Sequence, residues 1–297
     1  MSISNFYKDT KPGGQVFALF LMFVVLMFVA SGVLLLLSGG NPQSASTEVS
    51  LLSQGLAQLI MFLVPSCLFV LMFQGVRLFD YFHLSGDAVR GKSWIKGLSA
   101  AAIALLLMPL VDKISLWNEA WHFPAELEAL ESALRSAGEE SERVLTAFLS
   151  QTSLSAFVLN LLLIALVPAC CEELFFRGCL QQTLTKWFRN PHWAIFVTAL
   201  VFSLMHGEFF ALVPRMFLGV VLGYLFYGSR SMVVNMCAHF TNNAVVVVCY
   251  YLYATGRIGW SPESMPPIQM WLMILMTVAA FALLAYVISG SMCGKKR

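Results

Sequence analysis

The sequence predicts an all-α polytopic transmembrane bundle of about eight spanning helices. Hydrophobic residues make up 59% of its 297 positions and charged residues only 11%, less than half the share usual in soluble domains. The apolar residues also gather into runs long enough for a bilayer core, which takes roughly 20 residues per helix.

These runs occupy residues 16–38, 56–73, 97–111, 152–171, 192–206, 209–227, 231–253 and 269–289. The first exceeds the length of a signal-peptide core and is expected to be a retained helix. The third is expected to end at Pro109 and Asp112, and the fifth is bounded by His192 and His206. The seven cysteines fall in or beside these runs, so no disulfide framework is expected.

Lys and Arg set the orientation. The amino-terminal tail, the 77–96 loop, the 177–189 segment, Arg230 and the 295–297 tail hold 13 of them, against 4 in the opposite connections. Both termini are therefore expected to be cytoplasmic. The 112–150 connection, expected to be exterior, carries eight of the sixteen acidic residues. There Leu127, Leu130 and Leu134 recur at helical spacing after Pro124, which predicts a short amphipathic helix at the outer surface. The expected organisation is residues 1–150 as amino-terminal transmembrane helices with an acidic exterior segment near 112–150, 151–255 as core helices that carry the polar motifs described next, and 256–297 as the last transmembrane helix with a basic cytoplasmic tail.

Ionisable groups within spanning helices are costly and mark functional sites by default. Glu172, Glu173 and Arg177 form the first such group, Phe202 to His206 (FSLMH) the second, and His239 to Asn243 (HFTNN) the third. Glu173 and Arg177 are four residues apart on a helix and can pair, whereas Glu172 points about 100° away from Glu173. His239 and Asn243 project from one helix face for the same reason. If the fourth and fifth spans form a hairpin turning near Asn190-Pro191, Glu172 lies 18 residues before Asn190 and His206 lies 16 after it, at similar depth. That alignment requires the fourth helix to run on through QQTLTKWFRN. His83, His122 and His192 read as polar residues at membrane edges, Arg215 as an ion-pair partner of Glu208, and Cys170 and Cys171 as small packing residues.

The pattern Glu-Glu-x-x-x-Arg, Phe-x-x-x-His and His-x-x-x-Asn on separate apolar helices resembles the CPBP family of intramembrane endopeptidases, which includes CAAX prenyl proteases and bacterial proteins of the bacteriocin-processing and self-immunity type. The resemblance covers roughly residues 150–255. It implies a hydrolase in which Glu172 is the general base that activates water, His206 holds and polarises that water, and His239 and Asn243 donate hydrogen bonds to the developing oxyanion. Glu173 and Arg177 would be a supporting pair, with Glu173 a secondary participant. A carboxylate flanked by Leu174, Phe175 and Phe176 is poorly hydrated, which strengthens it as a base, and fixed donors in a low-dielectric site stabilise developing charge well.

No cofactor or metal is expected, and no nucleic-acid partner. The expected partners are the lipid bilayer and a protein or peptide substrate, lipidated or not; oligomeric state is open. A bacterial cell membrane is favoured over a eukaryotic endomembrane. His-Glu-x-x-His is absent, but Glu172, His206 and His239 could also supply zinc, with Glu173 as base, so a metallopeptidase stays open. A non-catalytic immunity or scaffold protein and a transporter are the readings from other classes; the clustering of polar groups in the second half of the chain disfavours the transporter.

Overall fold

Inside a hydrocarbon layer every backbone N–H and C=O must bond within the protein, and a helix achieves this without neighbours. The structure, a computed structural model, describes residue 7 and residues 9–40, 47–84, 93–262, 266 and 268–292, and these form helices without a strand. In chain order they are α1 (Pro12–Leu37), α2 (Val49–Gln74), α3 (Trp94–Glu119), α4 (Glu128–Leu149), α5 (Leu154–Phe188), α6 (Pro191–Leu204), α7 (Leu212–Ser229), α8 (Met232–Ala254) and α9 (Met270–Met292). Among the described residues, seven helical stretches are long and apolar enough to cross a membrane, and α6, at 14 residues, is a shorter apolar helix. With its 59% hydrophobic composition, the chain is an integral, multi-pass, all-α membrane protein.

Two elements differ from the sequence expectation, and a third, α5, continues as the hairpin alignment required. Helix α3 does not stop at Pro109 or Asp112 but runs to Glu119. Proline inside a helix removes one hydrogen bond, yet α3 packs on α7, α8 and α9 and this tertiary support carries it through. Asp112 is offset by Lys113 at 3.3 Å. The exterior segment holds a 22-residue helix, α4, much longer than expected. Its Leu127–Leu130 stripe is exposed, while Phe148 and Leu149 at the far end are buried. Helix α5 extends beyond the 152–171 run to Phe188, so the continuation through QQTLTKW is helical. It then turns at Arg189 (φ 54°), and Asn190 Oδ1 accepts from the N–H groups of His192 and Trp193 to start α6.

Arg177 does not belong to a loop: it is fully buried, which removes one residue from the larger basic count. The 295–297 tail, Lys8 and residues 85–92 of the 77–96 loop, which carry part of that count, lie outside the described residues.

The apolar side chains form two cores. One gathers Phe62 of α2, Phe175 and Phe176 of α5 and Phe202 of α6, with ring centroids 5.0–5.8 Å apart. The other joins α3, α7, α8 and α9 through Ile103, Leu225, Val234 and Val287. Helices α6 and α7 approach closely because positions 219 and 223 are glycine. A Cβ at Gly219 would sit 3.1 Å from the Ala199 Cα, and one at Gly223 2.6 Å from the Ile195 Cγ2.

Candidate active site

Helix α5 is not uniformly α-helical. Wide π-type turns occupy Leu161–Leu166 and Leu174–Gln181, with an α-helical stretch, Val167–Glu173, between them. Such turns widen a helix and often occur at functional sites. Here they flank Glu172 and Glu173.

The two adjacent glutamates face different surroundings. Glu173 is fully buried and takes part in three side-chain contacts. Arg177 Nη1 donates to its Oε1 at 2.8 Å, and Asn235 Nδ2 donates to its Oε2 at 2.9 Å. His239 Nδ1 stands 2.9 Å from Oε1. A carboxylate paired with arginine accepts, so Nδ1 carries the proton of that bond. Arg177 also donates from Nη2 to the Gly219 carbonyl at 3.0 Å and lies over the Phe202 ring at 5.0 Å. Glu172, only 4% exposed, faces the other way. Its Oε2 is 3.9 Å from His239 Nε2.

Glu172, His206, His239 and Asn243 all border one cavity of 340 Å³, whose apolar wall comes mainly from α3, α5 and α7. This size falls within the range of about 300–1,000 Å³ typical of ligand pockets. His206 Nδ1 donates to the Phe202 carbonyl at 2.7 Å, since a carbonyl can only accept, and a neutral ring then keeps its acceptor lone pair on Nε2. Asn243 Nδ2 donates weakly, at 3.4 Å, to the Ile164 carbonyl in the first wide turn of α5. Glu173 and Arg177 do not border the cavity; they stand behind its wall and reach it through His239.

Two features are absent from the sequence reading. Asn235 shares Glu173 with His239 and also donates to the Leu222 carbonyl at 2.8 Å. Its signal was present in MVVNMCAHFTNN, where Asn235, His239 and Asn243 recur every fourth residue and form a polar stripe on one helix face. Arg215 does pair with Glu208, at 2.5 Å, but also borders the same cavity. The edge histidines have local partners: His122 meets Glu131 at 3.0 Å and His192 meets Tyr224 at 2.8 Å. As for metal, among the described residues no group of three or more His, Cys, Asp or Glu comes together in a way that could hold an ion.

Two comparisons, with curated proteins and with solved structures, give no match. The family model of Rce1-like type II CAAX prenyl endopeptidases matches residues 154–245, the stretch that supplies Glu172, Glu173, Arg177, His206, Asn235, His239 and Asn243. All three motif helices lie inside that match and bring Glu172, His206, His239 and Asn243 to one cavity, so residues 154–245 are similar to the CAAX prenyl endopeptidase domain of that family.

Proposed function

We propose that the protein is a glutamate-dependent intramembrane endopeptidase, acting on a peptide or membrane-associated protein through a carboxylate-activated water. The observation that carries this is the convergence of Glu172, His206, His239 and Asn243 from separate chain segments on one cavity. In the first step Glu172 takes a proton from water while the water oxygen attacks the scissile carbonyl, with His206 Nε2 accepting the water's other hydrogen bond. His239 and Asn243 donate to the oxyanion. Because His239 Nδ1–H is engaged by Glu173, donation to the oxyanion falls to Nε2, which must then carry a proton as well. As the tetrahedral intermediate collapses, Glu172 returns its proton to the leaving amine.

Comparative proteomics of membranes containing wild type or Glu172→Gln tests this reading. A polypeptide should be cut only where the carboxylate is present; identical terminal-peptide profiles would count against it.

The chemistry makes a second demand. Purified protein should contain no stoichiometric zinc and should keep its activity after strong chelation. One zinc per chain, with activity lost to chelator and restored by metal, would move the assignment to a metallopeptidase using the same cluster.

The basic turn residues Lys186, Arg189 and Arg230 lie at the end of the bundle where α5 meets α6 and α7 meets α8, whereas α4 packs at the opposite end on residues 209–211. In the proposed orientation the basic end and both termini are cytoplasmic and α4 is exterior. A single cysteine placed at position 130 should react with impermeant reagent from outside; protection there, with labelling from the cytoplasmic side, would invert the topology.

A further inference from the structure

The walls of the catalytic cavity carry two polar atoms that the protein leaves unused. Gln58, on α2, and Arg215, in the first turn of α7, both border it. Gln58 Oε1 and Arg215 Nη1 are buried and have no hydrogen-bond partner among the described residues. Seven other buried atoms share that condition, but none of their side chains borders this cavity. Leaving a buried polar atom unpaired costs free energy, and native structures rarely do so without a reason.

The two atoms are chemically complementary. One is a neutral acceptor and the other a cationic donor, and neither belongs to the proposed catalytic set. Arg215 is anchored by its other terminal nitrogen, which donates to Glu208. Much of the surrounding wall is apolar, including Leu107, Leu163, Leu218 and Leu225. A peptide main chain presents one N–H donor and one carbonyl acceptor at each non-proline residue, and in a poorly hydrated cavity both need partners.

We infer that Gln58 and Arg215 form a substrate subsite beside the catalytic groups, holding an apolar peptide segment. Gln58 Oε1 accepts from a peptide N–H, and the Arg215 guanidinium donates to a peptide oxygen, either a main-chain carbonyl or a terminal carboxylate. The inference rests on the endopeptidase reading for its substrate class. It also gives the amino-terminal half of the chain a role in selectivity, since Gln58 lies outside the matched residues 154–245.

The test uses full-length protein in lipid nanodiscs and short, internally quenched apolar peptides, each made with a free and an amidated carboxyl terminus. Gln58→Leu should raise KM by about three- to tenfold, with a smaller change in kcat. It should unfold at the same temperature as wild type or higher, because the unpaired oxygen has gone; a merely structural glutamine would show the reverse. Arg215→Met should raise KM by roughly tenfold or more. An equal rise for both peptide forms identifies a main-chain carbonyl as its partner, and a rise confined to free acids identifies the terminal carboxylate. Unchanged KM in both variants would overturn the subsite.

Binding of the same peptides to Glu172→Gln separates this inference from the catalytic one. If wild type binds without cutting, and Gln58→Leu and Arg215→Met weaken binding, the subsite stands and the endopeptidase reading falls. If no form binds the peptides, the subsite is wrong.

Discussion

Glu172→Gln should remain folded and turn over substrate roughly two to four orders of magnitude more slowly than wild type, the usual contribution of a positioned general base. The substitution keeps the shape of the side chain and one acceptor oxygen but cannot take a proton from water. Stability should change little, because the carboxylate borders a cavity and His239 Nε2, at 3.9 Å, is beyond hydrogen-bond reach of it. His239→Ala and Asn243→Ala should also slow turnover, each by roughly 3 to 4 kcal/mol of transition-state stabilisation if the side chain donates to the oxyanion, with less effect on binding. Near-normal cleavage by Glu172→Gln, or equal unfolding in all these variants, would leave packing as the better account of these residues.

The neighbouring substitution should behave in the opposite way. Glu173→Gln removes the negative charge that faces Arg177, Asn235 and His239 in a site with no solvent exposure. Arg177 is left as a buried cation without a counter-ion, a loss of about 3–5 kcal/mol in comparable buried pairs. Thermal unfolding in detergent should fall sharply. Turnover should fall too, since the amide offers His239 only a neutral acceptor and its NH2 group confronts a donor, Arg177 or Asn235, where the carboxylate had accepted. Replacing both partners, as Glu173→Gln with Arg177→Met, should recover much of the stability but not the activity, because no cation is then stranded while His239 still lacks its charged acceptor. A Glu173→Gln protein as stable as wild type would show that the pair contributes little.

The membrane architecture was legible because burial in lipid imposes a simple length and hydropathy requirement, and every expected span has a helical counterpart. The end of α3 was misjudged because Pro109 and Asp112 are breakers by local rules, while the packing that overrides them is invisible in the sequence. The leucine spacing found the helix but not its length: α4 runs on to Phe148 and Leu149, whose burial the local pattern does not announce. At the site, the Glu173–Arg177 pair followed from spacing alone. The attachment of His239 to Glu173 joins residues 66 positions apart, and no periodicity encodes which of two adjacent glutamates will face it. Arg215 was half legible. Its partner Glu208 is near in sequence, but its place in the cavity wall depends on how α7 packs.

The brevity of α6 bears on the membrane itself. Its 14 residues rise about 21 Å, against roughly 30 Å for a hydrocarbon layer. Trp193, Phe196 and Leu204 are exposed along it and face lipid in a bilayer. A wall that falls short draws the headgroup region inward or thins the lipid beside it. His206, just past the end of α6, borders the cavity. Hydrolysis consumes one water for every bond cut, and on this flank that water has less hydrocarbon to cross.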